Sequence, residues 1–179
     1  FIPVTWHLPK LIIAEVTGQA LGIGCELALL ADVTYADTEA RFGHPEIALG
    51  IAAPTIWPFL AGPKVAKEYL ASGRLITAPE AARVRLINRA LPADQLRTEV
   101  ELLARDFASM PPGTPAANKR VLNWSFRDVS RVLHDDREYI TDFDWLVDNR
   151  DLDASFYDNV RTLGFDEALR RRNERFARN

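Results

Sequence analysis

The segment Lys10–Gly50 reads KLIIAEVTGQALGIGCELALLADVTYADTEARFGHPEIALG, and its pattern decides the fold class. Leu11 to Val16 is a short apolar run rich in β-branched residues, the mark of a buried strand. Gly18 ends it. Gly22 and Gly24 then bracket a turn whose backbone can take shapes closed to other residues, and Cys25 to Ala31 continues as an apolar helix. Asp32 to Ala36 and Ala40 to Gly43 predict two more short strands. Strands alternating with helices argue for an α/β arrangement.

Downstream, Pro45, Pro54, Pro58 and Pro63 keep any helix short. Pro63 to Ser72 predicts a helix with Gly73 as its stop. Thr77 is a good N-cap with Glu80 three residues on, a capping box opening a helix from Ala78 to Arg85. Asn88 to Leu91 predicts a last strand. From Ala93 the chain changes character. Helices are expected over Ala93 to Met110, Pro115 to Ser125, Asp128 to about Val147, Asp153 to Leu163 and Asp166 to Ala177, the last two split at Gly164. The expected division is therefore 1–92, with strands and helices, and 93–179, all helical.

The whole chain bounds the function only loosely. At 179 residues it can bury a sizeable core. A formal net charge of −3 gives no general affinity for nucleic acid or anionic membranes. Cys25 is the only cysteine, which excludes an intrachain disulfide and fits a reducing, cytoplasmic setting. No apolar run reaches the length of a membrane span. One cysteine and three scattered histidines do not make a metal site. The chain begins at Phe1 without an initiator Met, as a processed chain or a fragment would. FIPVTWHLPK lacks the basic start and apolar centre of a targeting peptide.

The strand, glycine turn and helix have competing readings. A dinucleotide fingerprint needs a third glycine where Leu27 stands, and no Gly-Lys-Ser/Thr follows, so neither nucleotide motif is present. A purely structural turn is one reading. The other is an anion site: the first N–H groups of a helix have no intrahelical partner and carry the positive end of its dipole. The N–H of Ile23 or Gly24 would then stabilise a developing oxyanion, a role worth about 3 kcal/mol per donor. Glu26, in the first turn, is favoured by the dipole alone, or it does chemistry. Glu46 follows the Phe-Gly-His-Pro turn among apolar neighbours. It is either solvent-facing or held in an apolar site as a proton donor. His44, beside it, could hydrogen-bond a carboxylate or be merely structural.

GQALGIGCELALLAD followed by RFGHPEIALG resembles the enoyl-CoA hydratase/isomerase (crotonase) family. That family reads Gly-x-Ala-x-Gly-Gly-Gly-x-Glu-Leu-Ala, an Asp and a strand, then Phe-Gly-x-Pro-Glu. The likeness covers Lys10 to about Leu96, the helical part matches in layout, and the sequence as a whole resembles the C-terminal two-thirds of the usual family chain. It implies a ClpP/crotonase spiral fold with a helical lid and trimerisation region. It implies Glu26 as the acid that holds the water, Glu46 as the acid that exchanges a proton with the substrate α-carbon, and Ile23 as an oxyanion N–H beside Gly24. Isoleucine in place of the family's glycine adds bulk there.

The expected chemistry is hydration of a trans-2-enoyl-CoA through a thioester enolate. CoA is then part of the substrate, no separate cofactor or metal is needed, and the assembly is a homo-trimer or hexamer. A double-bond isomerase, C–C hydrolase or racemase is the alternative within the family, and a non-catalytic CoA-binding or assembly protein the alternative outside it. The family's other oxyanion donor lies upstream of the first strand seen here, and the expectation is that a missing N-terminal segment supplies it. After Glu46 the glycine-rich stretch usual in hydratases is replaced by IAAPTIWPFLAGPK. Its Trp57 and Phe59 either line an acyl pocket or are core aromatics. Arg171 and Arg172, in the basic C-terminal RRRNERFARN, either approach CoA phosphates or form a solvated face.

Overall fold

Two small sheets are wound from alternate strands of one spiral. In the computed structural model the described residues are 2–49, 55–126 and 158–164, with 167, 168, 170, 171 and 174. β1 (Ile13–Val16) pairs in parallel with β3 (Val33–Asp37), Ile13 facing Val33 and Val16 facing Ala36. β6 (Arg89–Leu91) continues that sheet on the far side of β3, again parallel. β2 (Gln19–Leu21) pairs in parallel with β4 (Arg41–Gly43), and β5 (Ile76–Thr77) closes the second sheet antiparallel to β4.

The first two windings each give their first strand to one sheet and their second to the other, and the last two strands reverse that order. Parallel neighbours need a connection that brings the chain back, and α2 (Ile23–Leu29) provides it. The corner between β1 and β2 is Thr17–Gly18, where Gly18 has φ +69° and its carbonyl accepts from Arg41 N–H at 2.8 Å. The equivalent corner between β3 and β4 is made by Asp37, whose Oδ1 accepts from Glu39 N–H at 2.8 Å, a side chain imitating a backbone turn.

The core lies between the sheets and the helices. Cys25, Ala36, Phe42, Trp57 and Ile76 are almost wholly enclosed. α6 (Ala93–Ser109) lies on β1 and β3 and buries Leu96. The change to helix at Pro92 therefore marks a change of secondary structure while packing continues across it.

α7 (Thr114–Ser125) is fastened to the start of the chain by a buried amine. Lys119 Nζ donates to Thr5 O at 2.9 Å, Lys10 O at 3.2 Å and Asp32 Oδ2 at 2.8 Å. All three ammonium protons thus have acceptors. Asp32 also accepts from Ile12 N–H at 2.8 Å, and Asn123 reaches Trp6 O at 2.8 Å. These bonds explain α1 (Ile2–His7), which the sequence pattern does not predict. Its helical propensity is poor, and tertiary partners for its carbonyls override that.

Other departures are local. β2 lies in a stretch that reads as a glycine turn, because three residues are too few to show alternation. The helix starting at Ala78 ends at Arg83, not Arg85. Arg85 takes φ +65°, so that Leu86 N–H can bond Ala81 O at 2.8 Å, a left-handed helix ending. The capping box is half formed: Thr77 accepts from Glu80 N–H, but the Glu80 carboxylate turns to Arg83. The 3₁₀ turn Pro45–Leu49 and the short helix α3 (Trp57–Leu60) fit the proline-rich stretch. α4 (Pro63–Leu70) stops two residues before Ser72, whose hydroxyl donates to Glu68 O at 2.6 Å. The helix expected over 128–147 lies outside the described residues. Residues 158–163 are helical, and Gly164, at φ +84°, breaks the chain there.

Replacing Lys119 by Met should leave the Asp32 carboxylate and two carbonyls without their donor. We expect the unfolding free energy to fall by about 3 kcal/mol, measured by urea titration.

Candidate active site

The site starts from two glycines. Gly22 opens α2 with φ 54° and ψ −125°, a backbone shape that a side chain disfavours. Its N–H donates to Gly43 O at 2.9 Å, so the end of β4 is held against the mouth of the helix. A Cβ on Gly22 would stand 3.0 Å from Glu46 Oε1 and 3.3 Å from Oε2. Gly22 therefore leaves the space in which the Glu46 carboxylate rests. Ile23 begins the helix with its side chain turned to solvent, 68% exposed. The N–H groups of Ile23 and Gly24 belong to the first turn, where no intrahelical acceptor exists.

Glu26 is buried. An acid present only for the helix dipole would stay in water, so the dipole does not account for it. Its Oε1 accepts from Thr55 Oγ1 at 2.7 Å and lies 2.9 Å from His44 Nε2. Its Oε2 accepts from Ile56 N–H at 3.1 Å. A carboxylate offers about four acceptor positions, so roughly one is left for a further donor such as water.

Glu46 sits on the 3₁₀ turn, with its side chain 24% exposed against 8% for Glu26. Its Oε1 lies 2.8 Å from His44 Nδ1. One imidazole thus joins both acids, a contact to each ring nitrogen. His44 itself is buried and meets Trp57 edge-on, ring centroids 6.3 Å apart.

Burial acts to lower the His44 pKa. The adjacent Cys25 thiol and the hydrogen bonds to Glu26 and Glu46 act against it and prevail, moving the imidazole from 6.5 up to about 10. Burial in turn pushes the Cys25 thiol up, with contact to His44 pulling the other way, which makes it an unreactive thiol. At neutral pH the imidazole therefore holds its proton between the Glu26 and Glu46 side chains.

A largely apolar cavity of about 710 Å³ has Leu29, Ile56, Phe59, Phe107 and Met110 in its walls together with Asp32 and Lys119, and neither acid nor His44 lines it. Ile56 belongs to both places, its amide on Glu26 and its residue in the wall. Of the two aromatics predicted for an acyl pocket, Phe59 lines this cavity. Trp57 is absent from its walls and fully enclosed. The indole therefore serves as core, packed on His44 and Tyr69, and its Nε1–H has no hydrogen-bond partner among the described residues. Arg171 is occupied by Glu167 at 3.0 Å, and Arg172 lies outside the described residues. Among the described residues no group of His, Cys, Asp and Glu could hold a metal ion, and no helix is long and apolar enough to cross a membrane.

The comparison with known proteins bears on this arrangement. The family profile described as enoyl-CoA hydratase/isomerase matches residues 5–143. The chain belongs to the enoyl-CoA hydratase/isomerase family. It is 30% identical over 163 residues to a short-chain-enoyl-CoA hydratase of Clostridium acetobutylicum, covering 88% of this chain and 62% of that protein. To a crotonyl-CoA hydratase of Syntrophomonas wolfei it is 41% identical over 131 residues, covering 70% and 50%. Among solved structures, an enoyl-CoA hydratase/isomerase from Xanthobacter autotrophicus Py2 superposes with a TM-score of 0.81 at 30% identity, covering 99% of this chain and 66% of that one. The fold is therefore the crotonase spiral. The chain spans between about half and two-thirds of the length of these relatives.

Thr55, the Ile56 amide and Gly22 are site residues that sequence reading missed. Thr55 and Ile56 lie in the stretch that departs from the hydratase pattern, so no motif marks them. In sequence Gly22 is a turn former, and only the distance to Glu46 reveals its second constraint.

Two outcomes are expected. Gly22→Ala should cost about 1–3 kcal/mol of stability through its backbone shape and displace Glu46, seen by urea unfolding. His44 has a folded pKa above its unfolded value, so its contribution to stability is complete below pH 6.5 and is lost as pH rises to about 10. Thermal melts of the wild type should show that decline, and His44→Gln should show less of it.

Proposed function

We propose that this protein adds water reversibly to a trans-2-enoyl-CoA thioester. The observation that carries the reading is the meeting of Glu26 and Glu46 on one imidazole at the opening of α2. Addition of water across a double bond needs a base for the water and an acid for the α-carbon. Glu26, with one acceptor position to spare, holds the water and takes its proton. Glu46, the more exposed acid, gives a proton to the α-carbon. As the thioester oxygen gains negative charge in the enolate, the Ile23 N–H stabilises it. Only the backbone is needed for that, so the isoleucine side chain is compatible with the role.

CoA enters as part of the substrate, with no separate cofactor. The acyl end extends towards the cavity beside Phe59, Arg171 and Arg172 remain the candidates for CoA phosphates, and the assembly is a trimer or hexamer in the cytoplasm. The relatives named above as hydratases support the reaction class. One observation favours a second reading, a double-bond isomerase: Glu26 is enclosed and already holds three partners, so Glu46 alone would shuttle the proton.

Incubation with a panel of 2-enoyl-CoA thioesters, followed by mass spectrometry, separates the two. Hydration gives a product heavier by one water, and both Glu26→Gln and Glu46→Gln should slow it by about 10²–10⁴-fold. An isomerase would give a product of unchanged mass and would tolerate Glu26→Gln. No reaction with any thioester would sink both readings.

A further inference from the structure

A carboxyl group has two oxygens, and the torsion that turns it is soft. Left alone, Glu26 would hold water at either oxygen and in more than one plane. Three consecutive residues remove that freedom. Thr55 Oγ1 donates to Glu26 Oε1 at 2.7 Å, and Ile56 donates its N–H to Oε2 at 3.1 Å. Trp57 in turn donates its N–H to Thr55 Oγ1 at 3.3 Å. Trp57 is fully enclosed, so this run is anchored in the core. The Trp57 amide uses the acceptor side of the hydroxyl, and the one hydroxyl proton is left for Glu26. Thr55 is β-branched, with few side-chain rotamers to choose from, which keeps that hydroxyl in line.

We propose that Thr55 is a positioning residue: with the Ile56 amide it clamps both oxygens of Glu26 and leaves Oε2 as the oxygen that holds the water to be added. This rests on the hydration reading above. Each carboxyl oxygen offers about two acceptor positions. On Oε1 they are taken by the Thr55 hydroxyl and by His44 Nε2 at 2.9 Å, the second whichever partner holds the proton. On Oε2 the Ile56 N–H takes one and the other stays open. Without the hydroxyl a second position opens on Oε1, beside the imidazole, and the carboxyl plane loses one of its fixed points. Water then divides between two places instead of one. Misplaced water slows the chemical step in the bound complex, because the reacting atoms are no longer aligned.

Binding of the thioester is a separate matter. Thr55 does not line the apolar cavity, whereas its neighbour Ile56 does. Changing position 55 therefore alters the grip on Glu26 and leaves the cavity wall as it is. The clamp also lies outside both sequence motifs of the site, in the stretch IAAPTIWPFLAGPK that departs from the hydratase pattern.

Steady-state hydration of a 2-enoyl-CoA thioester by the full protein, followed by mass spectrometry, tests this in two variants. Thr55→Val keeps the shape of the side chain and deletes the hydroxyl, and Thr55→Ser keeps the hydroxyl. In Thr55→Val kcat should fall by about tenfold or more while KM stays within about threefold of the wild type. Thr55→Ser should bring kcat back to within about threefold of the wild type. Near-UV circular dichroism checks that each variant is folded, and Thr55→Ala is measured in the same way if Thr55→Val is not. Failure of both to fold gives Thr55 a purely structural role and overturns the clamp. A folded Thr55→Val with wild-type kcat, or with a raised KM alone, overturns it and leaves hydration standing. So does a Thr55→Ser as slow as Thr55→Val. A wild type that hydrates no enoyl-CoA removes the reaction and the clamp together.

Discussion

Glu26 and Glu46 are brought together by the backbone. The parallel pairing of β2 with β4 ends in the bond from Gly22 N–H to Gly43 O. One end of that bond starts the helix that carries Glu26, and the other precedes the turn that carries Glu46. Moving β4 by one residue would turn its side chains to the opposite face and separate the acids. Gly43 fits the same constraint: a Cβ there would stand 2.7 Å from Leu75 Cδ2. The site is thus specified by strand register and two glycines before any charged group contributes.

Within that frame the cluster avoids the usual penalty for burying charge. An unpaired buried carboxylate is strongly disfavoured. Glu26 meets a hydroxyl, an amide and an imidazole nitrogen, and His44 meets an acceptor on each side. The Lys119–Asp32 pair, in the wall of the apolar cavity, follows the same rule, with every ammonium proton placed. Among the described residues one buried side-chain group stands outside it, the Trp57 Nε1–H.

Much of this was legible in the residues. The strand at β1, the helix after the glycine turn and the cap at Thr77 follow from local chemistry, and the joining of Glu26 with Glu46 follows from the family resemblance carried by FGHPE; the stop expected at Gly73 falls earlier, at Ala71. What could not be read was tertiary. α1 exists because Lys119 and Asn123, over a hundred positions away, hold its end. Trp57 could be assigned to core or pocket only by seeing which atoms enclose it. His44 was visible as a neighbour of Glu46, but its contact with Glu26 depends on the strand pairing that no local pattern reports.

Ile56 and Ile23 share a property with evolutionary weight. Each contributes through its amide, Ile56 to Glu26 and Ile23 in the first turn of α2, while its side chain faces elsewhere. An amide is common to every residue except proline. Mutation at position 56 can therefore reshape the cavity wall, and at position 23 the surface above the helix, without deleting a donor. The chain can drift in what it accommodates while the groups that hold its acids stay the same.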